Sequence, residues 1–175
     1  MQTIKLPRIE TERLILRPFQ ERDLDRYVAF MTDPAATQYL MLTELQKTEP
    51  GARRLFDAIL ASYETDDPIV ALAIELKGHG CIGSCGCAPL TGPGVHEIYY
   101  SLLPAYWGRG YATEASRALI EYCLLQTNCQ EIRAYMTPEN VKSAAVAERA
   151  GMVHWGIHRH PTYGNEARVY VFRRV

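Results

Sequence analysis

Pro104-Ala105-Tyr106-Trp107-Gly108-Arg109-Gly110-Tyr111-Ala112-Thr113-Glu114-Ala115 joins a strand-like segment, Glu97 to Leu103, to a helix-like segment, Ala112 to Leu125. A strand that turns through small residues into a helix aims several free backbone N–H groups at one place. The helix dipole adds about half a positive charge there, so the turn is a ready anion site. Glycine at 108 and 110 and alanine at 112 let a bulky phosphate approach the main chain. The competing glycine motifs fit less well. A P-loop needs Gly, four residues, then Gly-Lys-Ser/Thr, and no such string occurs. The dinucleotide fingerprint needs a third small residue where Thr113 stands, and no early βαβ unit surrounds the run. An empty strand-to-helix turn and a diphosphate cradle both remain open on the glycines alone.

The segments on either side give the order of elements. Residues 12 to 19 read as a first strand ending at Pro18. Glu21 to Asp33 carries Leu24, Val28, Phe30 and Met31 at helical spacing, with Pro34 as a stop. Residues 34 to 47 have no clear period. Thr48-Glu49-Pro50 opens a second helix with an N-cap and an early proline, and its Leu55, Ile59 and Tyr63 recur at four. Asp66-Asp67-Pro68 breaks that helix. Ile69 to Leu76 and Cys81 to Leu90 form a hairpin, and Thr91-Gly92-Pro93-Gly94 turns the chain into a strand from His96 to Leu102. Ala115, Leu119, Tyr122 and Cys123 then line a helix ending near Asn128. Glu131 to Met136 is a strand, and Asn140 to Ala150 a short helix with Gly151 at its C′ position. Val153 to His160 and Ala167 to Arg173 close the chain as a hairpin. This is about seven strands and four helices, which predicts a single α+β domain with a mixed, mostly antiparallel sheet.

Composition narrows the class further. A chain of 175 residues, 47% apolar and 22% charged, suits one globular domain. A net charge of −1 without a basic block excludes a dedicated nucleic-acid groove. No apolar run reaches the ~18 residues that span a bilayer. With no signal-like N-terminal segment, the expectation is a cytoplasmic protein with no membrane partner. Five cysteines, an odd number, sit in element interiors and read as buried reduced thiols. Cys81, Cys85 and Cys87 share a strand face but lack a fourth ligand and any C-x-x-C pair, so small apolar packing is preferred to zinc and no metal site is expected.

Three ordered blocks resemble the GNAT superfamily of N-acetyltransferases. Its pyrophosphate pattern is proline, two residues, Arg or Gln, then Gly-x-Gly-x-Gly/Ala. Here it reads Pro104, Trp107, Gly108, Gly110, Ala112. Ile9-Glu10-Thr11-Glu12-Arg13-Leu14-Ile15-Leu16-Arg17-Pro18-Phe19 and Asn140-Val141-Lys142-Ser143 … Glu148-Arg149-Ala150-Gly151-Met152 are similar to the branch that acetylates ribosomal-protein N-termini. The resemblance implies one N-acetyltransferase domain over residues 1–175, two splayed central strands, and acetyl-CoA as co-substrate. Its pyrophosphate would rest on the amides of Gly108, Arg109, Gly110, Tyr111, Ala112 and Thr113, with Arg109 adding an outer charge contact or standing in solvent. Trp107 departs from the pattern and is expected to pack beside the cofactor or in the core. The Leu102 amide would polarise the thioester carbonyl. Asn140 would bond the pantetheine, with a plain N-cap as its other reading.

The implied reaction is direct acetyl transfer to a primary amine, either a peptide N-terminus or a small molecule. Glu97 is the first candidate for the base, a solvated strand carboxylate being the alternative. Relatives often carry a tyrosine seven residues after the asparagine as acid. Ala147 stands there, which leaves Ser143, with Tyr163 a more remote candidate, and gives weight to a catalytically silent acyl-CoA sensor. His158 and His160 would share a strand face and line the acceptor cleft or lie exposed, while Tyr99 and Tyr100 serve packing. A homodimer through the terminal strands is compatible with the resemblance.

Overall fold

The computed structural model describes residues 6–66, 69–90, 92–126 and 128–174. The expected breaks at Asp67-Pro68 and at Thr91 lie outside the described residues. Contacts divide the chain into two compact units: residues up to Cys85 with Ser101–Tyr111, and Gly86–Tyr100 with Ala112–Val175.

In the first unit, β1 (Ile9–Glu10) pairs antiparallel with β2 (Leu14–Pro18). A 3-10 turn at Glu21–Asp23 leads into α1 (Leu24–Met31), so the expected Glu21–Asp33 helix is shorter and begins with a tighter turn. Within the aperiodic segment 34–47 lies one short helix, α2 (Pro34–Thr37), capped by Asp33 through the amides of Ala35 and Ala36. α3 (Glu49–Ser62) starts at the expected cap, where Thr48 accepts from the Gly51 amide. β3 (Ala71–Leu76) pairs antiparallel with β2, Leu14 facing Leu76 and Pro18 facing Leu72. β4 (Gly80–Pro89) and β5 (Val95–Leu102) run through both units.

The core of this unit is aromatic. Phe19, Tyr27 and Phe56 meet at centroid distances of 5.1 to 5.6 Å, with Phe30, Met31 and Ile59 around them. Edge-to-face packing of this kind adds to the area these rings remove from water. At its edge Arg17 is buried. It donates to both carboxylate oxygens of Asp23, at 2.7 and 2.9 Å, and to Glu75 at 2.6 Å. Those bonds, led by the one to Asp23, raise the guanidinium further above its ordinary value.

The second unit holds α4 (Tyr111–Gln126), β6 (Glu131–Met136), α5 (Val141–Arg149), β7 (Val153–Arg159) and β8 (Glu166–Arg173). β6–β8 and β7–β8 are antiparallel, and β5–β6 is parallel. Among the described residues, eight strands follow the order β1-β2-β3-β4-β5-β6-β8-β7, one strand and one helix more than the sequence predicts. The extra pieces, β1 and α2, are two and four residues long. All five cysteines are buried, and burial pushes the Cys81 thiol up to about 11.

The β5–β6 pairing is partial. Its register runs Val95↔Glu131, His96↔Ile132, Glu97↔Arg133 and then stops, although β5 and β6 both continue. Ile98 to Tyr100 and Ala134 to Met136 therefore do not bond each other. This is the splay that the resemblance implied.

Candidate active site

The glycine turn is built as a cradle. A 3-10 turn at Pro104–Tyr106 ends β5, and α4 begins at Tyr111. Between them Gly108 and Gly110 take φ of +71° and +82°, a region that L side chains rarely adopt. Two left-handed residues bend the main chain sharply, and the first amides of α4 have no partner inside the helix. The space above Gly108 is open to 4 Å, so backbone conformation alone calls for glycine there. At Gly110 a Cβ would also lie 3.3 Å from an Arg13 guanidinium nitrogen. The glycine requirement is therefore conformational before it is a matter of phosphate approach.

Arg13 is a residue that the sequence did not single out. Its guanidinium donates to the Arg109 carbonyl at 3.0 Å, 96 positions along the chain, and lies 4.6 Å over the Tyr111 ring. One planar cation thus clamps two residues of the turn. The Arg109 side chain itself is exposed. Trp107 neither fills the core nor stands free: its indole N–H donates to the Leu102 carbonyl at 2.8 Å, tying the turn to the end of β5. The Leu103 amide donates to Ile82 of β4. Because amides alternate sides along a strand, the Leu102 N–H points away from β4. Gly83 makes this approach of β4 and β5 possible, since a Cβ there would sit 2.1 Å from the Ser101 carbonyl oxygen.

In the second unit, Asn140 caps α5, its side-chain oxygen accepting from the Ser143 amide at 3.2 Å. Tyr100 is tied to the same helix, donating its hydroxyl hydrogen to the Ser143 carbonyl at 2.7 Å. Burial pushes the Tyr100 phenol far above its ordinary value. Ala147 is fully buried, so its position in α5 offers no proton donor.

Glu97 occupies the last paired position of β5, opposite Arg133. Its carboxylate oxygens both lie 3.2 Å from Nε2 of His160. His160 is buried, whereas Glu97 keeps 26% of its side chain exposed. The expected kinship of the two histidines does not hold. His158 is exposed and stacks on Trp155 at 4.5 Å. His160 lies beyond the end of β7, where its ring meets Tyr135 and Tyr163 at 4.5 and 4.6 Å. No local pattern announces the Glu97–His160 contact, which joins residues 63 positions apart.

The model of the Acetyltransferase (GNAT) domain matches residues 13–153. The chain belongs to the GNAT acetyltransferase family. It is 29% identical over 166 residues to the uncharacterized N-acetyltransferase p20 of Bacillus licheniformis, covering 93% of this chain and 92% of the relative. An acetyltransferase structure from Agrobacterium tumefaciens is 31% identical with a TM-score of 0.75, covering 99% of this chain and 98% of the other. The aminoglycoside acetyltransferase AAC(6')-Ib, in complex with ribostamycin and coenzyme A, has a TM-score of 0.76 at 20% identity, covering 93% and 94%. That last likeness is one of fold. This protein is thus an N-acetyltransferase. Among its described residues, no helix is long and apolar enough to cross a membrane.

Proposed function

We propose that this GNAT enzyme moves the acetyl group of acetyl-CoA directly to a primary amine, in a ternary complex and without a metal. The observation that carries the reading is the pair of left-handed glycines opening onto α4. The pyrophosphate accepts from the amides of residues 108 to 113, Arg109 adds an outer cation, and Asn140 and Ser143 of α5 meet the pantetheine. Hydrogen bonds to a charged acceptor contribute about 1.5–3 kcal/mol each, so a few suffice for micromolar affinity. The Leu102 amide donates to the thioester oxygen, where negative charge develops as the amine attacks. That role fits an N–H that points away from β4.

Only a neutral amine attacks. At pH 7 an α-amine is about a tenth neutral and a lysine below about a thousandth, a difference near 3 kcal/mol in the proton to be removed. Glu97 receives that proton, directly or through water, which its partial exposure permits. The C–S bond then breaks. The thiolate takes a proton from Ser143 or solvent, and a thiol with pKa ~8.5 needs little help in leaving. The acceptor is a protein N-terminal α-amine or a small-molecule amine. The blocks at 9–19 and 140–152, similar to the ribosomal-protein branch, support the first, and the ribostamycin-bound neighbour supports the second. The whole of residues 1–175 acts as one catalytic domain.

Thiol release from acetyl-CoA, measured across peptides, polyamines, amino acids and aminoglycosides, tests the proposal. We expect release with at least one class. Binding of acetyl-CoA with no release above background for any amine would instead support an acyl-CoA sensor.

A further inference from the structure

We propose that His160 is a positioning residue for Glu97, holding the carboxylate through a single fixed imidazole tautomer. This inference rests on the reading that Glu97 takes the amine proton. Nδ1 of His160 is approached by two main-chain amides, Thr162 at 3.1 Å and Tyr163 at 3.3 Å. An amide can only donate, so Nδ1 must present its lone pair and carry no hydrogen. The ring hydrogen therefore sits on Nε2, where it is shared between the two Glu97 oxygens at 3.2 Å each. No lone pair of the imidazole remains to accept a substrate proton. His160 is thus excluded as the base, and Glu97 is the group it serves.

The surroundings keep the ring from turning. The His160 amide donates to the Asn165 carbonyl and the His160 carbonyl accepts from Gly164, both at 2.8 Å, so the loop closes on the histidine. Tyr135 and Tyr163 flank its faces. The titratable and charged groups around the pair include Tyr135 and Arg133 from β6, Tyr163 from the loop, and Tyr99, two positions along β5 from Glu97 on the same face. Arg133 is already engaged with Glu131 and the Tyr135 hydroxyl. A free glutamate side chain samples several rotamers. One neutral donor across both oxygens fixes it while leaving most of the acceptor capacity for an amine or water.

Two substitutions separate this role from support of the loop. Asparagine places an oxygen near Nδ1 and loses the donor at Nε2, whereas glutamine places an N–H near Nε2 and loses the acceptor at Nδ1. For His160→Asn we expect kcat to fall about tenfold, with the acid limb of kcat/KM moved to higher pH. Its KM for acetyl-CoA should stay within about twofold, and His160→Gln should recover kcat to within about threefold of the parent. The reverse ranking, or equal loss in both, overturns the proposal. Long-range 1H–15N spectra of the parent protein give an answer that needs no variant to fold: hydrogen on Nε2 is expected, and hydrogen on Nδ1 overturns the assignment. Parental turnover in Glu97→Gln would remove the base assignment, whereas the spectra report on the His160–Glu97 contact alone.

Discussion

At the residue scale, the cradle depends on two glycines and one arginine that the sequence keeps far apart. Gly108 has open space above it, so Gly108→Ala isolates the cost of a left-handed backbone, about 1–2 kcal/mol. The folded chain already holds that conformation, so we expect the cost in stability, a loss of about 1–2 kcal/mol in urea unfolding; an unchanged unfolding midpoint would show that the turn relaxes to another conformation. Arg13 gives a complementary prediction. Its fork bonds the Arg109 carbonyl while its plane covers Tyr111, and an ammonium cannot do both. Arg13→Lys should therefore raise KM for acetyl-CoA as Arg13→Ala does, with kcat nearly kept. The penalty should be equal for acetyl-CoA and its 3'-dephospho form. A penalty confined to the phosphorylated form would make Arg13 a ligand of that phosphate instead. The run at 104–115 was legible because an anion turn is local. The contacts of Arg13 and His160 were not, because their partners lie 96 and 63 positions away and no period connects them.

At the element scale, the corner from β2 through the 3-10 turn to α1 is fastened by Arg17, with Asp23 accepting both forks of the guanidinium. Asp23→Ala would leave a buried cation half paired. A loss of about 3–5 kcal/mol in urea unfolding is expected. A loss under about 1 kcal/mol would mean that Glu75 alone supports the charge. Elements with a long period or a named cap were readable from sequence: α3 starts after Thr48 as expected, and β6 has the predicted bounds. α2, at four residues, is too short to show a period. β7 is exposed along almost its whole length, so its place in the sheet rests on pairing with β8 rather than on apolar alternation. The parting of β5 from β6 is likewise a matter of register, which composition does not encode.

At the scale of the whole molecule, pH reaches stability through Glu131. Burial alone would raise its carboxyl, but hydrogen bonds from Arg173 and Arg133 outweigh that effect and set it below its ordinary 4.5. A carboxyl lowered in the folded state binds fewer protons there than in the unfolded chain. Its stabilisation is complete above pH 4.5 and disappears as pH falls through the lower folded value. Glu131→Gln should lower the melting temperature at pH 7 and flatten its decline toward pH 3. An unchanged slope would assign the acid sensitivity to other carboxylates. The bond from Trp107 to Leu102 has a consequence of its own. It braces the strand tip against the glycine bend, so the span between the Leu102 amide and the glycine turn, the grips proposed for thioester and diphosphate, is fixed like the jaws of a caliper. Acyl donors would then be sorted by reach. Thioesters with a clipped arm would fill one jaw only, and a single residue inserted between Leu102 and Gly108 would misalign the gauge without touching either jaw.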